Sequence, residues 1–157
     1  MKNIFFVAFL SIMLSLFAAL FPISLFAGNS VDSYKISVWK SPSCNCCNDW
    51  IKHLQSQGFT VKTFDTGNAV PRSNFGIPNE FGSCHTAYVD KYAIEGHVPA
   101  QDIKKLLNKR PNAIGLAVPG MPVGSPGMDG VEYGNRKDSF DVLLIKNDGG
   151  VKVFNSY

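Results

Sequence analysis

Lys40-Ser41-Pro42-Ser43-Cys44-Asn45-Cys46-Cys47-Asn48-Asp49-Trp50 places three of the chain's four cysteines within four residues, between an apolar, β-branched run (Tyr34 to Trp39) and a segment with helical periodicity. A strand that delivers cysteines onto a helix start sets their sulfurs beside unpaired backbone N–H groups and the positive end of the helix dipole. That setting favours thiolate over thiol. Thiolates bind soft metals and attack disulfides.

Outward from this stretch, Tyr34 to Trp39 reads as a first strand, with Ile36 and Val38 sharing a face, and Ser41-Pro42-Ser43 ends it. Cys47, Trp50, Ile51 and Leu54 recur at i, i+3, i+4, i+7 with Gly58 behind them, which predicts a helix from about Asn45 to Gln57, capped by Asn45 or Ser43. Cys47 then tilts toward the apolar face, and Cys44 and Cys46 lie at the open end. Phe59 to Phe64 is a second strand, followed by a polar connection over Asp65 to Gly82 with a short helix near Val70 to Phe75. Thr86 to Val89 and Ala93 to His97 form a hairpin, and Pro99 opens a helix buried through Ile103, Leu106 and Leu107 that stops by Pro111.

The order strand, helix, strand, connection, strand, strand, helix is that of an α/β, thioredoxin-like fold: a central mixed sheet with flanking helices. In such a fold the loop entering the third strand packs against the start of the first helix. Here that loop is Gly82-Ser83-Cys84-His85-Thr86, so Cys84 is expected to face Cys44, Cys46 and Cys47. Cys84-His85 stands where such folds usually carry a proline that would shield the sulfurs. Residues 111 to 139 are rich in Gly, Pro and Met with little periodicity and read as a long loop, and Phe140 to Lys146 with Val151 to Phe154 form a terminal β-hairpin.

The N-terminus reads as an export signal: Lys2 is the positive region, Ile4 to Phe26 are almost wholly apolar, and Ala27 suits cleavage. The run is long enough to span a bilayer, but Pro22 and Ala27-Gly28-Asn29-Ser30 favour processing after residue 27. Residues 28–157 then form one domain, with 14 basic and 12 acidic side chains. A charge so near neutrality gives no argument for nucleic acid or an anionic membrane surface.

In an oxidising compartment four cysteines first imply two structural bridges. The spacing opposes this, because adjacent Cys46 and Cys47 make poor independent staples. Cys44 and Cys47 have the C-x-x-C spacing of thiol–disulfide oxidoreductases, in which one sulfur attacks and the other resolves. Cys46 adds a competing thiol to that pair. A metal reading uses all four, and crowded sulfurs without paired zinc knuckles fit thiophilic Cu(I), with sulfurs bridging several ions, better than a tetrahedral Zn²⁺. Met121 and Met128 in the Gly/Pro loop and His85 beside Cys84 extend the list of candidate donors. His97 reads as a helix-start or supporting residue, His53 as solvent-facing, and Trp39 and Trp50 as packing. Phosphate loops, Ser/His/Asp arrangements and paired carboxylates lack support.

Lys40 to Cys47, Ser83-Cys84-His85-Thr86-Ala87, Glu95-Gly96-His97-Val98-Pro99, Gly115 through Met128 and Asp141-Val142-Leu143-Leu144 together resemble the CopG-type family of bacterial copper-resistance proteins, across about Tyr34 to Ile145. Phe140 stands where that family often has tyrosine, and Asp129 to Ser139 reads as an insertion. The resemblance implies a periplasmic, thioredoxin-like protein working with other copper-handling proteins. It also implies copper held by Cys44, Cys46, Cys47 and Cys84, and interconversion of Cu(I) and Cu(II) as an activity.

Overall fold

The computed structural model describes residues 34–157, so the predicted leader lies outside the described residues. Seven strands, β1 (Tyr34–Lys40), β2 (Phe59–Phe64), β3 (His85–Val89), β4 (Tyr92–Glu95), β5 (Gly115–Ala117), β6 (Asp141–Ile145) and β7 (Val151–Ser156), form one mixed sheet in the order β2-β1-β3-β4-β5-β6-β7. Three α-helices accompany it: α1 (Asn45–Ser56), α2 (Ala69–Asn74) and α3 (Ala100–Lys109). The β1-α1-β2 unit pairs its strands in parallel, and β3 runs antiparallel to β1 on its other side. This is the thioredoxin-like arrangement that the element order implies.

Alternation along the strands separates two faces. One carries Ile36, Val38, Ala87, Val89, Ile94 and Leu116 against Trp50 and Leu54 of α1 and Ile103 and Leu106 of α3, in a single buried cluster. Fully burying a side chain of this size contributes about 1.5–3 kcal/mol, which is why the 3.6-residue apolar stripes of α1 and α3 dock here. The residues offset by one, Ala93, Ala117 and Ile145, pack on the opposite face with Ile77, Phe75 and Phe81 from the segment around α2. That segment therefore has a packing role.

Two features differ from the sequence reading. The stretch after α3 is not wholly irregular: β5 pairs parallel with β4 and antiparallel with β6, so the terminal hairpin extends the main sheet. Three residues carry no readable period, and Gly115 hides the strand further. A Cβ there would stand far inside van der Waals contact with the Ala93 carbonyl oxygen, so the close approach of β4 and β5 needs glycine. The cap of α1 also differs, since Cys44 takes the N-cap position with no side-chain cap hydrogen bond. Neither Asn45 nor Ser43 fills that role.

Candidate metal centre

β1 ends at Lys40, whose ammonium is buried against Asp65 at 2.7 Å, and the chain turns through Ser41–Ser43 with the Cys44 N–H donating to the Ser41 carbonyl at 3.1 Å. The turn delivers Cys44, Cys46 and Cys47 to the uncapped first turn of α1. Cys47 is fully buried on the apolar face, as its place in the stripe implies, and Cys44 and Cys46 are partly exposed.

Cys84 arrives from the loop before β3. Its sulfur lies 3.9 Å from that of Cys46, the Cys44 and Cys46 sulfurs are 3.5 Å apart, and all four sulfurs lie within 4.8 Å of one another. The expected convergence of the distant cysteine on the trio is thus present. Cys44 and Cys47 are joined in a disulfide with a Cα–Cα separation of 5.3 Å, and Cys46 and Cys84 are free thiols. The chain therefore has one bridge in its C-x-x-C pair among the described residues, and not two structural staples.

The loop carrying Cys84 is held by a buried network that sequence reading did not single out. Glu95 on β4 is fully buried; its Oε1 accepts from Arg72 Nε of α2 at 2.8 Å and from the Ser83 N–H at 2.7 Å, and its Oε2 accepts from Thr86 Oγ1. Arg72 and Asn68 also donate to the Ser83 carbonyl. Burial pushes the Glu95 carboxyl up, against the downward pull of these donors. Buried polar groups that satisfy one another fix geometry, and this set fixes the residue next to Cys84. The only sequence signal was Glu95 inside an apolar strand.

Both β3–β4 histidines reach the same sulfur. His85 is fully buried, its ring 4.2 Å from that of Trp50, and its Nδ1 lies 3.3 Å from Cys84 Sγ. His97, also buried, places Nε2 at 3.2 Å from Cys84 Sγ and donates from Nδ1 to the Pro126 carbonyl at 2.9 Å. His97 thus stands closer to the centre than a helix-start residue. His53 is not solvent-facing either: it is half-buried, and its Nε2 accepts the Ala100 N–H at the start of α3. Burial lowers the pKa of all three imidazoles, for His85 well below the ordinary value. Burial, followed by the neighbouring Cys46 sulfur, pushes the Cys84 thiol up to about 12. The helix-start argument for a ready thiolate does not extend to Cys84, which sits outside α1; a bound metal would deprotonate it directly.

The Gly/Pro/Met loop lies against this centre through Pro126 and Gly127. Gly127 has φ +82°, and a Cβ there would sit 2.6 Å from the Trp50 nitrogen and 2.7 Å from the Cys46 carbonyl oxygen. Met128 is buried and its sulfur accepts from the Tyr133 hydroxyl at 3.4 Å, whereas Met121 is 51% exposed.

The arrangement is thus a soft-donor cluster open on one side, able to coordinate metal when reduced or to exchange disulfides. A family described as "Protein of unknown function, DUF411" matches residues 81–128. Two solved structures, titled "Copper resistance protein copG- Form 2" and "Copper resistance protein copG- Form 1", are each 42% identical with a TM-score of 0.74. Each alignment covers 80% of this chain, with 99% and 98% of the respective relatives. No curated protein matches.

Proposed function

Because the chain belongs to the CopG family of copper resistance proteins, we propose that it holds several Cu(I) ions in the periplasm through Cys44, Cys46, Cys47 and Cys84. The observation that carries this reading is the meeting of four sulfurs within 4.8 Å, drawn from two segments far apart in sequence. Cu(I) is thiophilic and accepts two or three ligands, so bridging sulfurs let four thiolates and several ions approach neutrality. Loading requires the Cys44–Cys47 disulfide to be opened by a two-electron reductant. The bound metal's passage between Cu(I) and Cu(II), each ion giving one electron to or taking one from a one-electron redox carrier, is the activity we assign to the site, with copper exchanged with other periplasmic copper-handling proteins. Met121, Met128 and His85 are the further ligands we propose.

Anaerobic, fully reduced protein is expected to take up more than one Cu(I) per chain, and Cys84→Ser to lose most of that capacity while remaining folded. Wild-type stoichiometry in the variant would reject the shared site.

One observation favours a second reading. The Cys44–Cys47 bridge is the oxidised state of a thiol–disulfide oxidoreductase at a helix N-terminus. Insulin reduction that persists without copper and disappears in Cys44→Ser would support it. The free thiols of Cys46 and Cys84 beside the bridge count against it, since either offers a competing disulfide.

A further inference from the structure

The Cys44–Cys47 disulfide removes two sulfurs from the four-cysteine group, yet a second set of donors is untouched by it. Cys84 Sγ and one ring nitrogen each of His85 and His97 lie within 4.8 Å of one another. A divalent ion with sulfur at about 2.3 Å and imidazole nitrogen at about 2.0–2.1 Å, at tetrahedral angles, holds S and N about 3.5 Å apart. The two S···N distances here are 3.2 and 3.3 Å, so a few tenths of an ångström admit the ion.

The protonation pattern points the same way. The Pro126 carbonyl can only accept, so His97 carries its proton on Nδ1 and aims the Nε2 lone pair at Cys84. A ligating histidine normally donates its other ring N–H to a carbonyl or carboxylate, which is this arrangement. His85 offers a second nitrogen to the same sulfur. Its own Nε2 is buried and is the side-chain polar atom left without a hydrogen-bond partner among the described residues. Because no polar partner among the described residues faces that Nε2, the metal-free site carries an orphaned buried nitrogen whichever tautomer His85 adopts. Metal at Nδ1 fixes the tautomer, with the ring proton on Nε2.

We propose that Cys84, His85 and His97 form a second metal position, for one Cu(II) ion, that remains competent while the Cys44–Cys47 disulfide is closed. Two imidazoles and one thiolate are the donor set of mononuclear Cu(II) sites, harder than an all-thiolate cluster. Binding exchanges the Cys84 thiol proton for the metal, with no change of oxidation state. Cys46 Sγ, 3.9 Å from Cys84 Sγ, does not belong to the three-donor group. This position goes beyond the Cu(I) cluster: it shares with it the Cys84 sulfur and the further ligand His85, and His97 belongs to it alone.

The test uses full-length protein with the disulfide verified by mass mapping, titrated anaerobically with Co(II), which does not oxidise thiols. The expected result is one Co(II) per chain with a thiolate-to-metal charge-transfer band, displaced by Cu(II) as the divalent affinity order requires. The band should vanish in Cys84→Ser, and His97→Gln should weaken Co(II) binding at least tenfold. Because buried substitutions can unfold the chain, electron paramagnetic resonance of the Cu(II)-loaded wild type supplies a readout without a variant: coupling to two nitrogens is expected. No Co(II) uptake by the disulfide form, unchanged affinity in a folded His97→Gln, or a Cu(II) signal without nitrogen coupling would each overturn the proposal. Reduced protein that loads Cu(I) while the disulfide form ignores Co(II) would sink this inference and leave the cluster reading intact; the converse pattern would do the opposite.

Discussion

Replacing Glu95 by alanine removes the acceptor at the centre of the network that holds the Cys84 loop. Three donors lose their partner: Arg72 Nε at 2.8 Å, the Ser83 N–H at 2.7 Å and the Thr86 hydroxyl. Removing one partner of a buried ion pair costs about 3–5 kcal/mol, because the other charge is left uncompensated. Arg72 is 16% exposed, so water recovers part of its solvation and the lower end of that range applies. Against a domain stability of about 5–15 kcal/mol, a loss near 3 kcal/mol is large but survivable. Glu95→Gln keeps an acceptor for Arg72 and Ser83 and loses the charge, so its cost is about 1–2 kcal/mol, the range of a weakened hydrogen bond to a charged group. Urea denaturation of metal-free protein with the disulfide intact measures both. As a second readout, alkylation of Cys84 should accelerate in the order wild type, Gln, Ala, because the residue next to it loses its anchors. A Glu95→Ala protein within about 0.5 kcal/mol of wild type, an ordinary surface effect, with unchanged Cys84 reactivity would refute the claim that this network positions the sulfur.

Acid should destabilise the metal-free protein through its histidines. His53, His85 and His97 all have folded pKa values below the ordinary 6.5. The unfolded chain therefore takes up protons first, and stability is full above about pH 6.5 and falls below it through each folded pKa, by at most about 1.4 kcal/mol per histidine per pH unit; pH-independent melts between 7 and 5 would contradict this. Gly127→Ala should cost at least about 1–3 kcal/mol from its left-handed backbone alone, with the contacts to Trp50 and Cys46 added, and an unchanged thermal midpoint would show that the loop does not pack on α1. Met128→Leu nearly conserves volume and should cost less than about 1.5 kcal/mol. Reduced Cu(I)-loaded Met128→Leu is nevertheless expected to surrender copper faster to a chelator, as is Met121→Leu, and wild-type retention in either removes that thioether from the ligand set.

What was legible in the sequence was whatever had a long period or a strong stop. Trp50, Ile51 and Leu54 mark α1, Ile103, Leu106 and Leu107 mark α3, and both lie in one buried cluster as their stripes require. The meeting of Cys84 with the trio followed from topology. β5 was not legible, because three residues beginning with a glycine have no measurable alternation. His97 was undervalued for a different reason: its importance comes from Pro126, 29 residues away, whose carbonyl orients the ring, and no local pattern encodes that contact. Glu95 was passed over because its partners come from α2 and the loop before β3, which sequence order keeps apart.

The four sulfurs are contributed by two stretches whose nearest members, Cys47 and Cys84, are 37 residues apart, so the complete donor set exists only once the sheet has assembled. An ion gripped from both sides must let go of one before the chain can unravel. Cargo and architecture are then thermodynamically linked: free metal at a hundredfold excess over its dissociation constant adds about 2.7 kcal/mol to the folded state. A loaded molecule would resist proteases that clear its empty counterpart, so the metal supply would set how long each copy survives.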